Sequence, residues 1–226
     1  MRIFLDVGAY IGEVAKAVLN SKHKFDKIYC FEPQLQLCDI INEIGDDKII
    51  VNKFGLWNCD VNKTIYFQNG KSSASVYLEK FKGNCRSMDC RFVKTSTWFL
   101  DNIKQDDYVV MKLNCEGSEC DILDDLLQSG EYTKIKALMV DFDVRKVPSQ
   151  EYKENEIREK LKKYSIPSIL FGNNEEKQLT RCELNCYYNN REKWTHRWMD
   201  LILEEDILFK MYLIVLGLLL MILMDV

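Results

Sequence analysis

Short apolar runs alternate with amphipathic stretches over the first 190 residues of this 226-residue chain, and that alternation most narrows its possible folds. Runs at Arg2–Val7, Lys27–Phe31, 48–54, Tyr108–Leu113, 135–142 and 167–171 read as buried strands, with a last one at 182–188. Between them 11–19, 35–44, 120–127 and 152–164 carry apolar residues at helical spacing. Residues 55–67 read as further strand or hairpin, and 68–91, polar and bearing Lys and Arg, as a loop or lid. Parallel neighbours in a sheet need a crossover, and the crossover helix covers one face. The pattern therefore predicts an α/β fold, a Rossmann-like, mostly parallel sheet with helices on both faces. In such sheets a ligand lies beyond the carboxyl ends of the strands, near the point where strand order reverses.

Charge and composition remove other classes. Lys and Arg number 31 against 35 Asp and Glu, a net charge of −4, with no dominant basic block. A nucleic-acid binder held by phosphate contacts is thereby excluded. Three prolines and ten glycines leave no room for a flexible linker. The nine cysteines include no C-x-x-C pair, and His23 and His196 are far apart, so no metal site is assigned. Free thiols at this density suit a reducing compartment, and Cys30 and Cys115 read as small core hydrophobes.

The end of the chain differs from the rest. Residues 211–224 carry no charge, and extension back through 207–210 gives eighteen residues interrupted only by Lys210. As a helix that is roughly 27 Å, just under a ~30 Å hydrocarbon core. Lys193, Arg197 and Lys210 lie on its N-terminal side, and Trp194, Trp198 and Tyr212 suit an interface. The expected organisation is a cofactor-binding domain over 1–190 and an apolar C-terminal helix over 191–226. That helix is a membrane anchor leaving the domain cytoplasmic, a buried terminal helix or a dimer contact.

Three constellations fall at strand ends. The first strand closes with Asp6-Val7-Gly8-Ala9-Tyr10-Ile11-Gly12 and opens directly into a helix. A dinucleotide site asks for G-x-G-x-x-G with pyrophosphate on the helix N-terminus. Here Tyr10 stands at the second glycine position and Asp6 precedes the first, which favours a cationic amino-acid cofactor, S-adenosylmethionine. Glu32-Pro33 closes the second strand, placing a carboxylate where it takes both ribose hydroxyls. The third piece is KLNCEGSE, 112–119, at the next strand-to-helix junction.

Together with FEP (31–33), Ser72-Ser73, TSTWFLDNI (95–103) and MVDFD (139–143), these pieces resemble the FkbM-type methyltransferases over about residues 2–143. The resemblance implies a class I, S-adenosylmethionine-dependent enzyme that methylates a sugar or glycan hydroxyl. It places the cofactor on Asp6, Gly8, Tyr10, Gly12, Glu32 and Pro33. Members usually carry Asn at the position of Tyr10, Asp at that of Asn114 and Glu near Asp141, and they have extra helices before the first strand.

Transfer to a hydroxyl needs a proton acceptor or a divalent metal. No histidine lies at a strand end, so the candidates are Glu116, Asp141 and Asp143, with Glu116 or Asp141 expected as base or metal ligand. Asn114 stands beside them, and Lys112 serves the substrate or pairs with an acid such as Glu119. Lys71, Lys80, Lys82, Arg86 and Arg91 either grip a phosphorylated or nucleotide-linked sugar or are ordinary solvated charges. Tyr77, Phe81 and Trp98 offer stacking surfaces or belong to the core. Two other functions stand beside the enzyme: a binding or scaffold protein on a degenerate methyltransferase fold, and an NAD(P)-dependent oxidoreductase.

Overall fold

The computed structural model describes residues 1–68, 73–164, 166 and 168–171. In chain order the elements are β1 (Arg2–Val7), α1 (Glu13–Asn20), β2 (Lys27–Phe31), α2 (Leu35–Asn42), β3 (Ile49–Asn52), β4 (Gly55–Trp57) and β5 (Val61–Phe67). There follow β6 (Ala74–Ser75), β7 (Arg86–Lys94), α3 (Thr95–Asn102), β8 (Tyr108–Leu113), α4 (Glu119–Ser129), β9 (Ile135–Val140), α5 (Tyr152–Lys163) and β10 (Ser168–Phe171). The expected strand at 182–188 and the segment 191–226 lie outside the described residues. Among the described residues no helix is long and apolar enough to cross a membrane.

The main sheet has the order β10-β9-β8-β1-β2-β3, every neighbour parallel. Numbered within this sheet alone, that is the doubly wound order 3-2-1-4-5-6, and it reverses between β1 and β8. Alternate side chains of β1 serve opposite faces. Ile3, Leu5 and Val7 join Phe99 of α3 and Leu123 and Leu126 of α4. Phe4 points the other way, toward Val18 of α1, Ile28 and Ile41 of α2. Both faces are covered, which is why β1, β2 and β8 are nearly uninterrupted apolar runs. The fold is the expected α/β architecture.

One region departs from expectation. Residues 68–91 are not simply a loop, because β6, a 3₁₀ turn at Leu78–Lys80 and most of β7 fall there. These elements belong to a second sheet of order β4-β7-β5-β6. The strands at 55–67 do not form a hairpin. Instead β4 runs parallel to one edge of β7, and β5 runs antiparallel to the other. Phe92 and Cys90 of β7 pack with Trp57 and Ile65 in a small core of their own. This sheet sits over the carboxyl ends of the main one.

Candidate active site

The turn after β1 is shaped by close approach. Gly8 has φ +79°, and a Cβ there would lie 1.9 Å from the carbonyl oxygen of Asn114. Only glycine lets β1 and the end of β8 meet this closely. The amides of Gly8 and Ala9 both donate to the carbonyl of Phe31, which folds the turn onto the end of β2. Tyr10 follows with φ +54°, and Gly12 with φ +80° is the N-cap, so α1 starts at Glu13 rather than 11. A Cβ on Gly12 would stand 2.9 Å from Ile44, which accounts for the second glycine.

Glu32 is fixed by this turn. Its Oε2 accepts the Tyr10 amide at 3.0 Å and its Oε1 the Gln34 amide at 3.0 Å. Burial pushes the carboxyl up to about 7, against the stabilising pull of the Gln34 and Tyr10 amides. Each oxygen retains a lone pair for a further donor. Pro33 turns the chain toward α2 beside it.

Asp6 takes a role other than the one expected, and Lys112 takes the second of its two expected roles, pairing with an acid, though the acid is Asp6 and not Glu119. Asp6 is wholly buried and does not face the cavity; its Oδ1 accepts from Lys112 Nζ at 2.9 Å. The same ammonium donates to the Gly8 carbonyl at 2.8 Å. Asp6 is therefore not the acceptor for a cofactor ammonium, and Lys112 is committed to locking β1 against β8. The expected alternative partner, Glu119, is engaged elsewhere: it accepts the amides of Cys115 and Gly117 and so shapes the loop entering α4. Burial pushes Glu119 up to about 7.

That loop carries the remaining candidates. Asn114 lines the cavity, and its Oδ1 is buried with no hydrogen-bond partner. Cys115 is half-buried at the cavity wall, whereas Cys30 is a core residue as expected. Glu116 adopts φ +59°, a left-handed conformation that costs an ordinary side chain about 1–2 kcal/mol. Its carboxylate pairs with Lys80 from the Leu78–Lys80 turn, and Lys80 also reaches Asp143 Oδ2 at 3.0 Å. Asp141 does not converge with Glu116; it pairs with Arg145 at 3.0 Å and does not line the cavity. Asp143, also outside the cavity lining, is the aspartate that converges with Glu116, through Lys80.

The cavity spans about 910 Å³ of empty space, its open mouth and the bordering solvent included. Its floor is the carboxyl ends of β1, β2 and β8, at the reversal of strand order. The second sheet roofs it with Gly55, Leu56, Ile65, Ala74, Val76 and Phe92. Sequence reading missed these six, although Ile65 and Phe92 stand at alternating apolar positions of their strands. Of the residues expected to stack on a sugar, Trp98 is buried among Tyr29, Phe31 and Phe99, and Tyr77 packs on Gly117. Lys80 is consumed by carboxylates, Arg91 lies over the ring of Phe54, and Lys71 is outside the described residues.

The cavity's charged lining thus consists of Glu32, Glu116 and the committed Lys112. Glu32, the open Gly8 turn and the uncompensated Asn114 carbonyl fit a ligand rich in donors and positive charge. A divalent metal does not fit between Glu116 and Asp143, since the Lys80 ammonium already bridges them. Among the described residues no group of three or more His, Cys, Asp or Glu is arranged around a metal position.

Fold and cavity together define a doubly wound α/β protein with a cavity at its switch point. No family model matches the sequence, and no curated protein matches it either. Among solved structures it is similar to the crystal structure of methyltransferase FkbM from Methylobacillus flagellatus KT, with a TM-score of 0.44 and 18% identity. The match covers 70% of this chain and 37% of that one, so it spans little more than a third of that protein's length.

Proposed function

We propose that this chain is an S-adenosylmethionine-dependent O-methyltransferase acting on a hydroxyl of a sugar or glycan. The observation that carries the reading is the charge of the cavity: the Glu32 carboxyl faces it held by backbone amides, Glu116 faces it paired with Lys80, and its lysine is neutralised by Asp6. A dianionic pyrophosphate meets repulsion and no free ammonium there, whereas a sulfonium and an α-ammonium meet complementary charge. This disfavours the nicotinamide reading and a nucleotide-linked substrate. The sugar acceptor rests on the resemblance at 6–12, 31–33 and 112–119.

In the bound state Glu32 accepts ribose hydroxyls, Tyr10 and Pro33 border the same pocket, and Asn114 Oδ1 accepts a donor of the ligand. S-adenosylmethionine supplies an electrophilic methyl group whose transfer to a hydroxyl oxygen releases a proton. Glu116 is the carboxylate at the cavity wall placed to take that proton, and the apolar roof excludes water from the reacting atoms. Ordering two reactants in one cavity is worth roughly 7–11 kcal/mol of barrier when alignment is good.

Calorimetric titration with S-adenosylmethionine, S-adenosylhomocysteine and NADPH tests the ligand. The first two bind and NADPH does not; the reverse pattern refutes the proposal. Transfer of a tritiated methyl group to a panel of methyl glycosides tests the chemistry, and cofactor binding without labelled product on any member leaves a binding protein.

A further inference from the structure

Glu116 is held by more contacts than a cavity-lining carboxylate needs. Its backbone carbonyl accepts the Ser75 hydroxyl at 2.7 Å, and Gly117 beside it is wedged between Tyr77 and Val147. Its side chain meets Lys80, 5% exposed, which meets Asp143, 3% exposed, which meets Lys146 at 2.6 Å. The four charges alternate in sign from contact to contact, from Glu116 at the cavity wall to the exposed Lys146. They come from three places in the chain: the 3₁₀ turn of the second sheet, the β8–α4 loop and the segment after β9.

We propose that Lys80 and Asp143 are positioning residues that hold the Glu116 carboxylate at the cavity wall as the acceptor of the substrate's hydroxyl proton. This rests on the methyltransferase reading. In the step the hydroxyl O–H bond breaks and the oxygen keeps the pair to bond the methyl carbon. The carbon–sulfur pair stays on sulfur, and the proton goes to a Glu116 oxygen, from which it is hydrogen-bonded to Asp143.

The two neighbours act on Glu116 in opposite senses. Burial and the hydrogen bond and charge of Asp143 raise Glu116 above the usual carboxylate range, and Lys80 opposes them. Burial alone pushes Asp143 up. The hydrogen bond with Glu116 and the ammonium groups of Lys80 and Lys146 outweigh it and hold Asp143 below its ordinary value. Other ionisable groups around this corner are already engaged: Glu119 by backbone amides, Lys112 by Asp6, Glu32 by the Tyr10 and Gln34 amides, and Asp141 by Arg145. Cys115 and Tyr77 are further neighbours, the thiol of the first pushed far up and the hydroxyl of the second raised, both by burial.

The test reads protons directly. Titrating the full chain with S-adenosylmethionine in buffers of different ionisation enthalpy gives the protons released on binding as a function of pH. A cation entering the cavity drives a proton from Glu116, so release is expected with S-adenosylmethionine and is smaller with the uncharged thioether of S-adenosylhomocysteine. Lys80→Met moves the pH of maximal release up by about one unit, and Asp143→Asn moves it down by about one. Lys80→Arg restores the wild-type position, and Glu116→Gln abolishes the component. Methyl transfer to the best methyl glycoside follows the same displaced pH profiles, and Glu116→Gln lowers it by about 100-fold or more. Profiles that coincide in folded Lys80→Met and Asp143→Asn, with cofactor binding and transfer intact, overturn this proposal alone. Failure of the wild-type chain to bind S-adenosylmethionine overturns the methyltransferase reading and this one with it.

Discussion

Lys112→Met separates a structural lysine from a catalytic one. In the native chain the Lys112 ammonium is 2.9 Å from Asp6 Oδ1, with Asp6 fully buried and Lys112 nearly so. The other oxygen, Oδ2, is buried with no hydrogen-bond partner, so Lys112 is the chief compensation for the charge. Removing one member of a buried pair costs about 3–5 kcal/mol, because the survivor keeps its desolvation penalty. At about 2–4 °C per kcal/mol for a chain of this size, melting falls by roughly 10 °C. Replacing both members, Asp6→Leu with Lys112→Met, removes penalty and attraction together and returns stability to within about 1.5 kcal/mol of the wild type. Urea unfolding followed by the fluorescence of the buried Trp57 and Trp98 measures all three variants. A single-variant loss below about 1 kcal/mol, or a double-variant loss equal to the sum of the two singles, refutes the buried-pair account.

Three further outcomes follow from the site. Gly8→Ala places a methyl group 1.9 Å from the Asn114 carbonyl at φ +79°, so β1 and β8 must part; a thermal melt within 2 °C of wild type contradicts this. On the proposed methyltransferase reading, Glu32→Gln preserves shape but removes the charge that would hold the ribose hydroxyls, weakening S-adenosylmethionine by about tenfold or more in calorimetry. Glu32 and Glu119 titrate near 7 when folded, above their ordinary values, so the folded state binds more protons between about pH 4.5 and 7. Their contribution to stability is complete below that window and is lost as pH rises through 7, by up to about 1.4 kcal/mol per unit for each group. Urea midpoints across pH 5–8 show a shallower decline in Glu119→Gln; an unchanged slope contradicts the assignment.

Legibility in the sequence followed the physics of each element. Strands β1, β2 and β8 are buried on both faces, and an unbroken apolar run announces itself. Strand β7 reads RSMDCRFVK, where Met88, Cys90 and Phe92 alternate inward and charged residues outward. Its arginines made it look like loop, although the two-residue period was present. At the site, Gly8 and Glu32 were legible because strand-end chemistry is local. The Asp6–Lys112 pair was not, since its members are 106 positions apart and only sheet register brings them together. The choice of Asp143 over Asp141 depends on which way the chain turns after β9, and no spacing rule reports that. The left-handed φ of Tyr10 was not legible either, since that conformation is uncommon for any residue but Gly and, less so, Asn or Asp.

The roof over the cavity belongs to a different sheet from the floor. A ligand filling that space touches both at once and is bound only while they are docked. Mass action then makes occupancy a clamp: at a ligand concentration 100 times Kd, undocking costs about 2.7 kcal/mol more than in the free protein. Amide exchange in β5 and β7 should slow by about 100-fold on saturation, while amides at the centre of the main sheet, already limited by global unfolding, report the same increment only as the whole chain gains stability. The second sheet would thereby govern how fast any bound ligand leaves as well as how tightly it is enclosed.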